Sequence, residues 1–96
     1  MKLVQITFHF EFWQQVEQIL DKHEIGHFIH IPAAQGKDTE GKHYGTQVFP
    51  GSVSIVHAGL NDEDVEGLLD DLKDFRGKRR AHEHLEAFVL PVERHL

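Results

Sequence analysis

Val4, Ile6, Phe8 and Phe10 alternate with Leu3, Gln5, Thr7 and His9. A period of two predicts an extended strand with one strongly apolar face. From Glu11 the period changes: Phe12, Trp13, Val16, Ile19 and Leu20 fall at helical spacing, with Gln14, Gln15, Glu17, Gln18 and Asp21 on the other side. That pattern predicts a first helix, with Gly26 as its stop. Residues 26–32, Gly-His-Phe-Ile-His-Ile-Pro, read as a second strand ended by Pro32, which has no N–H to give to a ladder. Residues 33–51 have no periodicity, and residues 52–58 read as a third strand. Asn61 is placed to cap a second helix whose acidic first turn suits the helix dipole. Val65, Leu68, Leu69, Leu72 and Phe75 form its apolar stripe, Gly77 is its expected stop, and residues 85–91 make the last strand.

The order β-α-β-β-α-β predicts an α+β, ferredoxin-like fold: an antiparallel sheet with two helices on one face and a long loop between strands two and three. One apolar stripe per helix agrees with that arrangement. The second sheet face is then uncovered, with Leu3, Ile29, Ile31 and Val56 expected on it. A partly apolar open face is suited to contact between subunits. Ninety-six residues fit a single domain, 1–96. A fold of this size buries only roughly 60–65% of the surface of its unfolded chain, which makes self-association favourable.

Composition narrows the chemistry. Without cysteine there is no disulfide scaffold, thiolate metal site or cysteine nucleophile. No run approaches 18 apolar residues, so no membrane insertion is expected, and the absence of an export signal points to the cytoplasm. A net charge of −6 argues against nucleic acid as a partner. Nucleophile-elbow, phosphate-loop and zinc-protease motifs are all missing, so catalysis is not expected.

The 33–51 segment is far longer than the usual connection of about 4–6 residues and therefore asks for a functional reason. Its glycines let a ligand approach backbone N–H groups, and Lys37, Lys42 and His43 add positive charge to an acidic chain. Such a loop suits an anion, a phosphate or bicarbonate; a solvated surface loop is the simpler alternative.

With this loop, the element order and the closing strand Ala87-Phe88-Val89-Leu90-Pro91-Val92-Glu93, the chain resembles the nitrogen-regulatory PII family and its PII-like relatives, which are related in architecture to CutA-type divalent-cation-tolerance proteins. The stretches Gly41-Lys42-His43-Tyr44-Gly45-Thr46 and Phe49-Pro50-Gly51 are similar to a loop pattern of small PII-like proteins. The resemblance implies a homotrimer with effector clefts between neighbouring subunits, each formed by Lys37, Lys42, His43, Gly45 and Thr46 of one subunit and the Arg76–His84 segment of another, with Arg79 and Arg80 as cationic contacts. An adenine nucleotide or a bicarbonate-like anion is the expected effector, and the 33–51 loop is expected to report to a partner such as a membrane transporter. ATP-binding PII proteins carry Thr-Gly and Gly-Asp-Gly-Lys before the last strand; this chain has Arg76-Gly77-Lys78-Arg79-Arg80-Ala81-His82-Glu83-His84 instead. The charge for a phosphate is kept and the glycine cradle is not.

Nine histidines open a second reading, a metal-binding or metal-sensing trimer. In an extended segment His82 and His84 would share a face and, with His43 or His95 and with His57 or His30 as a further candidate, hold a divalent transition metal. The residues also allow a third reading, an assembly module with no small ligand.

Overall fold

A computed structural model describes residues 1–34 and 53–96. The elements are β1 (Lys2–His9), α1 (Trp13–Lys22), β2 (Phe28–Ala34), β3 (Val53–Leu60), α2 (Asp62–Lys78) and β4 (Glu86–Pro91). All ladders are antiparallel and the strand order is β2-β3-β1-β4. This is the ferredoxin-like α+β fold.

Val4, Ile6 and Phe8 of β1 and Val56, Ala58 and Leu60 of β3 project to the helix side. There they meet Val16 and Leu20 of α1 and Val65, Leu68, Leu72 and Phe75 of α2. Each large apolar side chain buried in this way contributes about 1.5–3 kcal/mol relative to exposure. Val56 is among them and is fully buried, so its expected place on the open face is corrected: it pairs with Ile6 and shares that residue's face.

Several boundaries differ from the linear pattern, each for a local reason. Phe10 leaves the strand for a 3-10 turn over Phe10–Phe12, which His9 caps by accepting the Glu11 N–H at Nδ1, 3.3 Å away. The first helix does not run to Gly26. Glu24 adopts φ 58° and closes α1, with Glu24 N–H on the Asp21 carbonyl and Ile25 N–H on the Leu20 carbonyl, both at 2.9 Å. A non-glycine residue in that conformation costs about 1–2 kcal/mol; burial of Ile25 and Leu20 offsets it.

Pro32 does not end β2, because β2 is an edge strand and its ladder with β3 shifts register between Ile31 and Ala34. The Ser54 hydroxyl donates to the Pro32 carbonyl at 2.9 Å. At α2 the Asn61 side chain makes no cap bond; Asp64 N–H instead reaches the Asn61 carbonyl at 3.0 Å. Gly77 lies inside the last turn of α2, which continues to Lys78.

Register defines the open face. One row across it is Ile29, His57, Gln5 and Phe88; a second is Ile31, Ile55, Thr7 and Glu86; a third holds Gly59, Leu3 and Leu90. Ile29 and Phe88 are 64% and 50% exposed, values that leave large apolar side chains in water unless something covers them.

Candidate effector-binding region

The region begins where α2 ends. The last four carbonyls of a helix lack intrahelical partners, and cations there complement the dipole. Arg76 is used structurally: its Nη1 donates to the Leu85 carbonyl at 3.3 Å and ties the helix to the entry of β4. Arg79 is extended (φ −146°, ψ 149°) and breaks the helix, and a 3-10 turn over Arg80–His82 follows. Lys78, Arg79 and Arg80 are exposed and form no ion pair with any described residue. Three adjacent cations that neutralise nothing within the described fold are available to an anion.

His82 closes the helix from inside. Its ring is buried, stacks on Phe75 at 4.0 Å and meets the edge of Phe12 at 4.5 Å. Nδ1 lies 2.8 Å from the Phe75 carbonyl, and since a carbonyl only accepts, Nδ1 carries the proton and donates. One of the orphaned carbonyls of α2 is thereby satisfied.

The two helices are pinned to each other nearby. Asp71 of α2 receives Lys22 Nζ at 3.0 Å and His23 Nε2 at 2.7 Å. The hydrogen bond from Lys22, then that from His23, holds the Asp71 carboxyl below its ordinary range. Between α1 and α2 runs an open groove of ≈ 1050 Å³, lined among others by Phe12, Ile19, Phe75, Lys22, Lys78 and Arg79. Lys78 and Arg79 thus border a surface with both apolar and charged character.

No family model matches the sequence, and no curated protein matches it either. Solved structures do. CPII, a nitrogen regulatory PII-like protein from Thiomonas intermedia K12 bound to ADP, AMP and bicarbonate, superposes with a TM-score of 0.74 at 19% identity, over 93% of this chain and 88% of that one. Its apo form gives 0.71 at 18% identity, over 92% and 84%. A protein of Thermus thermophilus assigned to the PII-like signalling proteins gives 0.65 at 16% identity, over 92% and 82%. This chain has the PII-like fold.

Of the residues expected at a PII-like cleft, Arg79 and Arg80 are brought together after α2, whereas Lys37, Lys42, His43, Gly45 and Thr46 lie outside the described residues. The metal reading rested on an extended 82–84 segment, and that premise is corrected. His82 ends a 3-10 turn facing the core, while His84 follows the turn with Nε2 3.8 Å from Glu83. Among the described residues no group of three histidine or carboxylate side chains is arranged to hold a metal ion. Nor is any helix among them long and apolar enough to cross a membrane.

One further histidine takes a place that the linear pattern did not specify. His30 lies between Ile29 and Ile31, on the helix face of β2, and stacks on Trp13 at 3.7 Å with 11° between planes. Its Nε2 is buried without a partner among the described residues, and desolvation lowers its pKa, partly offset by Glu17. A depressed histidine pKa means the unfolded chain takes up its proton first, near pH 6.5, so folding stability is full above that value and declines as pH falls towards the folded-state value. Urea titrations of wild type and His30→Phe between pH 7.5 and 5 should show a smaller acid loss in the variant. The Asp71 contribution belongs to a lower window: its pKa is depressed, so its stabilisation is lost only as pH falls below the ordinary carboxylate range.

Proposed function

We propose that this chain is a PII-like regulatory protein, one domain over 1–96, that assembles as a homotrimer and binds an adenine nucleotide or a small anion at clefts between subunits. Carrying this reading is the agreement in fold with CPII, whose structure holds ADP, AMP and bicarbonate, together with the cations Lys78, Arg79 and Arg80 after α2, which pair with no described carboxylate. The effector's phosphates or carboxylate meet Arg79 and Arg80 of one subunit, with Lys37, Lys42, His43, Gly45 and Thr46 from the 33–51 loop of its neighbour completing the cleft. Binding is reported through the loop, which engages or releases a partner such as a membrane transporter from the cytoplasmic side. The protein acts as a regulator rather than a catalyst. Self-association uses the open sheet face, where Leu3, Ile29, Ile31, Ile55, Phe88 and Leu90 are interspersed with Gln5, Thr7, His57 and Glu86.

Calorimetry of the chelator-treated protein against ADP, AMP, ATP, bicarbonate and Zn²⁺ tests the reading. A nucleotide or bicarbonate should saturate, and the double variant Arg79→Ala/Arg80→Ala should weaken it about 10- to 100-fold, the worth of one or two charge-assisted hydrogen bonds. Unchanged affinity in the double variant would remove this segment from the site. Saturation by Zn²⁺ alone, lost as pH falls and lost in His43→Ala and His84→Ala, would favour the metal-sensing alternative.

A further inference from the structure

The second helix borders two hollows. One is the groove it shares with α1; the other is a smaller pocket of ≈ 180 Å³ on its β4 side. One water needs only about 10–15 Å³, so this pocket takes a molecule of several non-hydrogen atoms. It is lined by Leu69, Leu72, Lys73 and Arg76 of α2, by Leu85 and by Ala87 of β4. Positions three and four apart share a helix face, so the two leucines stand one turn before the two cations and give the pocket an apolar end and a basic end. Ala87 pairs with Ile6 and points to the helix side, which turns its neighbour Glu86 to the opposite face of the sheet. Both titratable lining groups are therefore cations. Lys73 and Arg76 are exposed, and neither forms an ion pair with a described residue. Arg76 is also held in place. Its Nη1 donates to the Leu85 carbonyl at 3.3 Å, which uses one of the five N–H donors of a guanidinium and leaves four.

We propose that this pocket binds a short-chain aliphatic carboxylate, its charged end on the Arg76 guanidinium and the Lys73 ammonium and its alkyl chain over Leu69, Leu72 and Leu85. A planar guanidinium presents paired N–H groups that match the two oxygens of a carboxylate, and the bond to Leu85 restrains that plane before any ligand arrives. The other lining side chains are apolar and carry no donor, so a phosphate would leave oxygens unmatched. Burying an alkyl chain against the leucines removes apolar surface from water, which a bare inorganic anion does not do. Neither Arg79 nor Arg80 lines the pocket, and it lies on the helix side of the sheet. The site is therefore independent of the effector cleft and of the open face.

Titration of the ¹⁵N-labelled full chain with sodium butyrate at constant ionic strength, followed by amide correlation spectra, tests the proposal. The Leu85 and Ala87 amides should shift saturably, with a Kd on the order of 1 mM for so small a ligand. Butyramide has the same chain without the charge, and bicarbonate has the charge without the chain; each should bind at least about tenfold more weakly. Lys73→Gln should weaken butyrate about fivefold to tenfold, and Arg76→Lys, which keeps the charge and loses the fork, by a similar factor. Spectra unchanged away from the pocket show that both variants are folded. No saturation by about 100 mM butyrate would overturn the proposal. So would butyramide binding as well as butyrate, or folded variants binding as wild type does. Bicarbonate matching butyrate at these amides would overturn it in favour of a site for inorganic anions.

Discussion

Replacing His82 with alanine should destabilise the protein by about 3 kcal/mol, the sum of two losses. Removal of a buried ring packed between Phe75 and Phe12 leaves a cavity whose lining loses its dispersion partners. The Phe75 carbonyl at the end of α2 loses its buried Nδ1–H donor, at about 1–3 kcal/mol. His82→Phe separates the two, since it keeps the stacking and loses only the hydrogen bond. The expected order of stability is therefore wild type, then His82→Phe, then His82→Ala. For a chain of this size each kcal/mol moves Tm by about 4–8 °C, so the alanine variant should melt at least about 12 °C lower. Protein concentration must be held constant across the series, because self-association contributes to apparent stability. An alanine variant within about 0.5 kcal/mol of wild type would show that His82 is not part of the core in solution.

Phe88→Asp should abolish assembly while leaving the subunit folded. Phe88 is 50% exposed on an edge strand, so its replacement removes little that the isolated subunit uses. In an assembled face, by contrast, it would bury a carboxylate beside Gln5 with no lysine or arginine among the described residues of its row. The expected weakening exceeds about a hundredfold, equivalent to about 3 kcal/mol. Light scattering coupled to size exclusion should find the variant at monomer mass with an unchanged circular dichroism spectrum. Gln14→Asp, on the exposed side of α1, adds the same single negative charge as a control and should assemble normally. A Phe88→Asp protein at wild-type mass would mean that the open face is not where copies meet.

How much of this was legible in one dimension depends on the reach of each interaction. The apolar stripe of α2 and the alternation of β1 are local periodicities, so Val65, Leu68, Leu72, Val4, Ile6 and Phe8 were readable as core from their spacing. Element boundaries were less readable, because local rules compete with tertiary burial. Gly26 is the better helix stop by propensity, yet Glu24 takes the left-handed position because it places Ile25 against Leu20 in the core. Pro32 would end an inner strand and is tolerated where the edge ladder already slips.

The histidines divide along the same line. Their abundance is plain from composition, but neighbours in sequence are not neighbours in space. His82 ends a 3-10 turn that sends its ring inward, whereas His84 follows the turn beside Glu83. His30 acquired its Trp13 stack from 17 residues away, and His57 its Gln5 partner from 52 residues away.

By itself the sequence determined the order of elements, and through it the ferredoxin-like topology, because hydrophobic periodicity is a short-range property that each segment carries alone. It also determined that a basic segment follows the second helix, since charge needs no partner to be read. The tertiary structure alone decided which face Val56 and His57 take, which arginine is spent on the Leu85 carbonyl and which remain exposed, and which histidine is closed into the core. Those outcomes depend on strand register and on contacts between residues far apart in the chain, and a one-residue change of register would reverse every one of the sheet assignments.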